Sequence, residues 1–463
     1  MSFTAESLPE ILTMAIIGGG LVLPSILGLL TLCGFKPAER TLSKTISWTA
    51  QAGIFISAAL AFVTYRAPGH GILVEFGNWF QFENFSYHIQ FWLTRNTTAF
   101  LFFAHCILAA VLRFSENYLH KDPAYQRFIL LISFLQWGIA CVALAANLDL
   151  LFFGWELVGV ASFLLVGFFT SHRSAGRQSL KAFITYKISD IGIILAGVFL
   201  HNATGHTNLA EAHELVEILV NSGQDNTIFL VCCLIFWGSM AKGGVFPLNG
   251  WFPRALEGPT PSSAIFYGAL SVHLAPILLI KTYDLWSWNQ SLRIIVFAIG
   301  FINTLIASKS GQTQSNVKTQ LAHAVMTQIG IMYMVIALGW RDLAVIHICS
   351  HAILRTIQYL RSGSVLQAFH ENKASYLQLQ RRSHHQQKLT LSDAFFIHAW
   401  NGFYVDALTT IFLVNPVRVV AKLCHRILST FGVVPAEHLT SVTGGGQSRT
   451  RRIKTSSRRI SDV

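Results

Sequence analysis

Apolar stretches of about 20 residues, the length a helix needs to cross the hydrocarbon core of a bilayer, alternate with short polar segments along most of the chain. They predict eleven spanning helices, near 9–33, 46–65, 97–114, 128–147, 149–170, 181–201, 228–247, 262–281, 291–308, 320–339 and 342–366. Only Asn147–Asp149 separates the fourth from the fifth, which predicts a tight antiparallel pair. The first segment has neither a basic leader nor a small-residue cleavage site, so it reads as a retained span. After Leu366 the pattern fails. Residues 370–400 form a basic segment, much of it too hydrophilic to span and assigned to the cytoplasmic side. A shorter apolar piece at 403–425 carries Asp406, Pro416, Arg418 and Lys422; it predicts an interfacial or partner-packed helix, with a twelfth span as the alternative. Gly, Ser, Thr and Arg dominate 440–463, a composition that predicts a disordered basic tail.

Composition agrees with the pattern. The chain is 52% hydrophobic and 12% charged, where soluble domains carry about 25% charge, and its mean hydropathy is +0.48. The fold class is therefore an all-α polytopic membrane protein of about 11–12 transmembrane helices. The net charge of +12 is unevenly placed. Alternate loops hold Lys36, Arg40 and Lys44; Arg113, Lys121 and Arg127; Arg173, Arg177 and Lys181; and Lys309 and Lys318, whereas the loop near 202–227 is acidic. Basic loops stay inside, which predicts an N-terminus outside. The basic C-terminal clusters suit anionic lipid; without stacking aromatics they do not suggest nucleic acid. Seven cysteines show no metal-binding spacing, and no phosphate- or dinucleotide-binding glycine motif is present. Nothing in the chain predicts a cofactor or an enzymatic centre of its own, so the reading is transport or coupling within a complex.

A few polar residues interrupt the spans. Lys242 stands near the end of one apolar run, just before a proline- and glycine-rich knot with Pro247, Pro253, Pro259 and Pro261. A lysine at membrane depth costs about 2.5–3.5 kcal/mol on insertion scales and is kept for a pathway or a partner. Glu156, alone among apolar neighbours in GWELVG, is the natural partner, because pairing lets both groups keep their charge. The plainer role for such a pair is a fixed pin between two helices. Lys187 and Asp190, three apart on one helical face, predict a local i,i+3 salt bridge. His273, His323, His347 and His351 lie within or at the ends of spans, and His347 and His351 share a face. Singly each suits a hydrogen-bonded core position; as a set with Glu156 and Lys242 they suit a proton relay. The proline knot forces irregular backbone, which at membrane depth is tolerated only against protein or a water-filled cavity and points to a transport site.

Five motifs in order, GWELVGVASFLLVGFF, KAFITYKISDIG, AKGGVFPLNGWFPRALEGPTPSSA, NVKTQLAHAVMTQIGIMYMVIALG and HICSHAILRTIQYLRSGSV, resemble the proton-conducting antiporter-like subunits. That family includes the large membrane-arm subunits of respiratory complex I, subunits of Mrp antiporters and the membrane subunit of the Dab inorganic-carbon pump. The resemblance covers roughly residues 95–370. It implies two inverted repeats of five helices, each with a discontinuous helix. Three spans would occupy 1–127, a first repeat 128–281 and a truncated second repeat 291–366.

By position, the resemblance makes Glu156 the family's fifth-helix glutamate and Lys242 the lysine of its broken helix. Lys187 and Asp190 match the charged pair of the sixth helix, Lys318 the turn lysine before the tenth, and His347 and His351 the paired histidines. Tyr267 replaces a family histidine, with His273 two turns further on. Arg355 replaces a lysine, and a guanidinium gates or biases a relay without passing a proton. A short member without the lateral helix implies the inorganic-carbon pump. There, proton or sodium flow energises a separate zinc-containing, carbonic-anhydrase-like partner, the zinc belonging to that partner. The alternatives are a proton-pumping subunit of an NADH-quinone oxidoreductase or hydrogenase-type complex, and a non-conducting scaffold.

Overall fold

The computed structural model describes residues 7–371, except 36, 68, 70, 83 and 84, and residues 391–430. Lys36, most of the basic segment 370–400 and the tail 440–463 lie outside the described residues. Two compact units are present, Met1–Val414 and Asn415–Val463.

The first unit is a helical bundle. Its helices run α1 (Leu8–Leu32), α2 (Glu39–Arg66), α3 (Arg95–Tyr118), α4 (Tyr125–Leu144), α5 (Leu148–Val166) and α6 (Arg173–Thr204). A short α7 (Ala212–Asn221) lies in the acidic loop and leads into α8 (Asp225–Gly243). Among the described residues eleven helices are long and apolar enough to cross a membrane. The number matches the expectation, but the membership does not. The stretch 262–281, expected as one helix, is in pieces: a helical turn at Thr260–Ser263, a π-helical segment at Ala264–Ala269, a bend, and a last helix from Leu274 to Lys281. The eleventh place goes to Gly402–Ser429. The broken stretch survives because protein surrounds it: His273 and every residue from Leu274 to Lys281 are buried, so the freed backbone groups never meet lipid.

The ends of the helices follow local chemistry. Asn147, in the short link between α4 and α5, caps α5 by accepting from the Leu150 N–H at 2.8 Å. Its amide also donates to the His88 carbonyl at 2.8 Å. His88 belongs to an antiparallel β-hairpin, β1 (Ile72–Phe82) and β2 (Phe85–Leu93), which the span pattern did not reveal. The alternation in ILVEFGNWFQF and FSYHIQFWL is its signal. Gly244, in the left-handed region at φ +61°, ends α8; there a Cβ would also strike the Phe252 ring at 2.6 Å. The Phe246–Pro247 peptide is cis.

Small residues set which helices meet. A Cβ at Gly192 on α6 would lie 2.4 Å from the Leu234 carbonyl of α8, so only glycine permits this approach. Ser189 then bonds across, donating between the carbonyls of Trp237 and Gly238 at 2.8 and 2.9 Å. This brings the middle of α6 against the end of α8. The bundle continues through α9 (Thr260–Ser263), α10 (Leu274–Lys281), α11 (Tyr283–Trp286), α12 (Gln290–Gln312), α13 (Val317–Ala337) and α14 (Arg341–Glu371). It then resumes with α15 (Leu391–Trp400) and α16 (Val405–Thr409).

The second unit's described part is a helix, Asn415–Thr430, with basic Arg418, Lys422 and Arg426 and exposed apolar Val420, Leu423 and Ile427. This helix overlaps the stretch 403–425 and extends beyond it.

Candidate functional site: a buried charge pair and a histidine relay

Lys242 ends α8 with its side chain wholly enclosed. Its partner is Asp190 rather than Glu156: the ammonium donates to both carboxylate oxygens, at 3.0 and 3.2 Å. The close α6–α8 approach, at Gly192 and at Ser189 next to Asp190, brings this about. Trp155 of α5 donates its indole N–H to the same carboxylate at 2.7 Å. The Lys242 ammonium also sits 4.5 Å from the Trp155 ring centroid and 5.1 Å from that of Tyr186. Two aromatic faces, an indole donor and a bidentate carboxylate thus replace the water the charges lose. A Cβ at Gly159 would approach the ammonium to 3.3 Å, so glycine keeps that side open.

Glu156 pairs with Lys187. The expected Lys187–Asp190 bridge is therefore replaced by two cross-helix pairs, Glu156–Lys187 and Asp190–Lys242. The reason is geometric: Lys187 reaches the Glu156 side of α5, whereas Asp190 stands between α5 and α8, where Trp155 and Lys242 both meet it. Lys187 and Glu156 are partly accessible, at 36% and 25%, whereas the Asp190–Lys242 pair is dry. A partly open pair thus stands beside a sealed one.

Beyond Lys242 the polar groups continue. Ser162, one turn past Gly159 on α5, lies 3.3 Å from Ser271 in the break before α10, both hydroxyls buried. Two residues on, His273 Nε2 lies 3.0 Å from His351 Nδ1. Arg355 donates its Nε–H to His351 Nε2 at 3.0 Å. A guanidinium only donates, so His351 Nε2 accepts and the neutral ring carries its hydrogen on Nδ1, directed at His273. His347 does not bond to His351; its Nε2 lies 2.9 Å from Gln328 Oε1, and the two imidazole centroids are 6.1 Å apart. Tyr267 is buried in an aromatic cluster with Trp251, Phe252 and Phe266, its hydroxyl without a partner among the described residues. Lys318 stands apart, donating to Thr260 Oγ1 at 3.4 Å beside the helical turn that Pro259 and Pro261 begin. Pro247 and Pro253 belong to the break itself, Pro253 within the single turn Phe252–Arg254.

Other polar contacts were not legible in the sequence. Lys281, buried at the end of α10, donates to the Ala143 carbonyl at 3.0 Å and has no carboxylate partner among the described residues. Asp406 of α16 forms ion pairs with Lys181 and, at 3.2 Å, with Arg254. Trp155, Ser162 and Ser271 were equally invisible, because tryptophan and serine are ordinary in membrane helices. No group of three or more possible metal ligands occurs among the described residues.

A helical membrane bundle with a broken helix, buried lysine–carboxylate pairs and a histidine chain along its interior is the architecture of an antiporter-like subunit. Comparison with known proteins agrees: residues 145–396, more than half of the chain, match the family described as NADH:quinone oxidoreductase/Mrp antiporter, TM, and residues 79–129 match the NADH-ubiquinone oxidoreductase (complex I) chain 5 N-terminus. The chain belongs to this family. Curated relatives include the chloroplastic NAD(P)H-quinone oxidoreductase subunit 5 of Aethionema cordifolium, 29% identical over 76% of this chain and 46% of the relative. That of Draba nemorosa is 30% identical over 75% of this chain and 47% of the relative. The chain thus spans about half the length of these relatives. Two solved structures share the fold at 18% identity. The Mrp complex from Dietzia sp. DQ12-45-1b has a TM-score of 0.61 over 74% of this chain and 37% of that one, and the archaeal membrane-bound sulfane sulfur reductase a TM-score of 0.65 over 87% of both chains.

Proposed function

We propose that the chain is a proton-conducting subunit of a multi-subunit membrane complex, driven by or driving a redox reaction carried out by its partners. The observation that carries this is the dry Asp190–Lys242 pair set between the partly open Glu156–Lys187 pair and the serine–histidine line. Asp190 has two lysines within reach, Lys242 across the helix interface and Lys187 one turn back on α6. If Asp190 turns toward Lys187, Lys242 is left in a desolvated pocket without its anion. A lysine in that position gives up its proton, and it takes one back when the carboxylate returns. Ser162, Ser271 and His273 lead onward to His351.

The redox setting rests on the relatives, which are quinone oxidoreductase subunits by name. They favour the oxidoreductase over the inorganic-carbon pump. In vesicles holding the assembled complex, Lys242→Ala and Asp190→Asn are expected to abolish proton flux while the complex still purifies intact. Full flux in both variants sinks the relay and leaves the scaffold reading. Mass spectrometry of the complex purified in mild detergent identifies the machine: several redox subunits are expected, and a lone soluble zinc protein is the result that overturns the redox assignment.

A further inference from the structure

A second polar region of the first unit lies apart from the line that runs from Glu156 to His351. A cavity of about 400 Å³ lies between the broken backbone at Asn249–Arg254, helices α12 and α13, and the segment Trp400–Asp406. It lies next to the Thr313–Asn316 turn, at the end of the bundle where the basic residues Lys309 and Lys318 stand. Two buried polar atoms on its wall have no hydrogen-bond partner among the described residues, His323 Nδ1 and Ser310 Oγ. His323 is 5% exposed and makes no hydrogen bond with its ring among the described residues. An imidazole left unsatisfied in a membrane protein is costly, and the cavity that His323 lines has room for several waters. The opposite wall presents Asn249, whose amide donates to Asn303 Oδ1 at 3.0 Å. The same Asn303 oxygen accepts from the Phe246 N–H at 3.0 Å, four residues after Lys242. The cavity therefore backs onto the break that carries the central lysine.

Its cover is held electrostatically. Asp406 is clamped by Lys181 and Arg254, and Gln314 donates to the Trp400 carbonyl at 3.1 Å. A Cβ at Gly250 would come within 2.6 Å of Asp406 Cα, so the cover lies directly on the broken backbone.

We propose that this cavity is a water-filled access vestibule to the relay, with His323 as its proton-loading residue and the Trp400–Asp406 segment as its wall. His323 takes a proton on a ring nitrogen from cavity water and returns it to water at the Asn249 side, for transfer toward Lys242. The proposal rests on the proton-conduction reading, and its test separates the two. In vesicles carrying the assembled complex in a cysteine-free background, Thr319→Cys, on the partly accessible part of the wall, is expected to react with a charged, membrane-impermeant maleimide from one face only. That arm reads hydration without any flux. Under a potassium diffusion potential, His323→Gln, which keeps a hydrogen-bonding side chain but does not titrate, is expected to lower proton flux at least about tenfold. Full flux in His323→Gln beside a silent Lys242→Ala overturns the vestibule and spares the relay. An unreactive Thr319→Cys overturns it as well. Full flux in Lys242→Ala counts against the relay instead.

Discussion

At the scale of single residues, the decisive finding is a change of partners. Asp190, Lys242, Glu156 and Lys187 form two salt bridges across helix interfaces, and the dry one is the more costly to disturb. Removing one partner of a buried pair leaves an uncompensated charge, a loss of about 3–5 kcal/mol, whereas replacing both by apolar residues is often neutral. Asp190→Leu is therefore expected to lower the melting temperature of the detergent-solubilised protein markedly. The double variant Asp190→Leu/Lys242→Met should recover most of that loss yet remain silent in flux assays. Arg355 offers a second test at this scale. It holds His351 in one tautomer, with Nε2 occupied as an acceptor. Arg355→Gln frees that nitrogen, and an increased passive proton leak through vesicles is the expected outcome. An unchanged leak would mean that the guanidinium does not gate the chain.

Elements explain why these residues meet at all. Lys242 is at the end of a helix because Gly243 and Gly244 follow it and Pro247 forbids continuation. Asp190 reaches it because Gly192 lets α6 sit against α8. Gly192→Leu is expected to force the two apart and to prevent accumulation of folded protein, read as a lost monodisperse peak in size exclusion. A gentler perturbation tests the hairpin. Asn147→Ala removes both the α5 cap and the bond to His88, at a cost of about 1–2 kcal/mol by the usual worth of a cap. It should lower thermal stability without changing flux, since neither group touches the relay.

For the molecule as a whole, the first unit encloses a broken helix in a shell of intact ones. The backbone irregularity thus falls inside protein, where its unpaired groups and the buried charges are served together. Covering that interior at one end is the segment around Asp406, held by Lys181 and Arg254. Asp406→Asn weakens both pairs, and faster limited proteolysis between residues 391 and 414 is the expected readout in membranes.

What the residues determined by themselves follows from local rules. The lengths of most spans, the tight α4–α5 link, the break after Lys242 and the presence of charged and histidine residues at membrane depth all depend on neighbours in sequence. Family membership was legible for the same reason, since it rests on ordered motifs. The pairing of the charges was not. Glu156 and Lys242 looked like partners because each stood alone in its own run, and Lys187 and Asp190 because they were three apart. Which carboxylate reaches which lysine depends instead on the rotation and approach of α5, α6 and α8, set by glycine contacts with no local signature. The same holds for His273 meeting His351 while His347 turns to Gln328, and for His323 facing a cavity. The second break, inside 260–281, was hidden because its residues are as apolar as those of any span. Pro276 lacks the N–H that would bond back to the preceding turn and favours a new start at Leu274, and the enclosing protein makes the bent path tolerable.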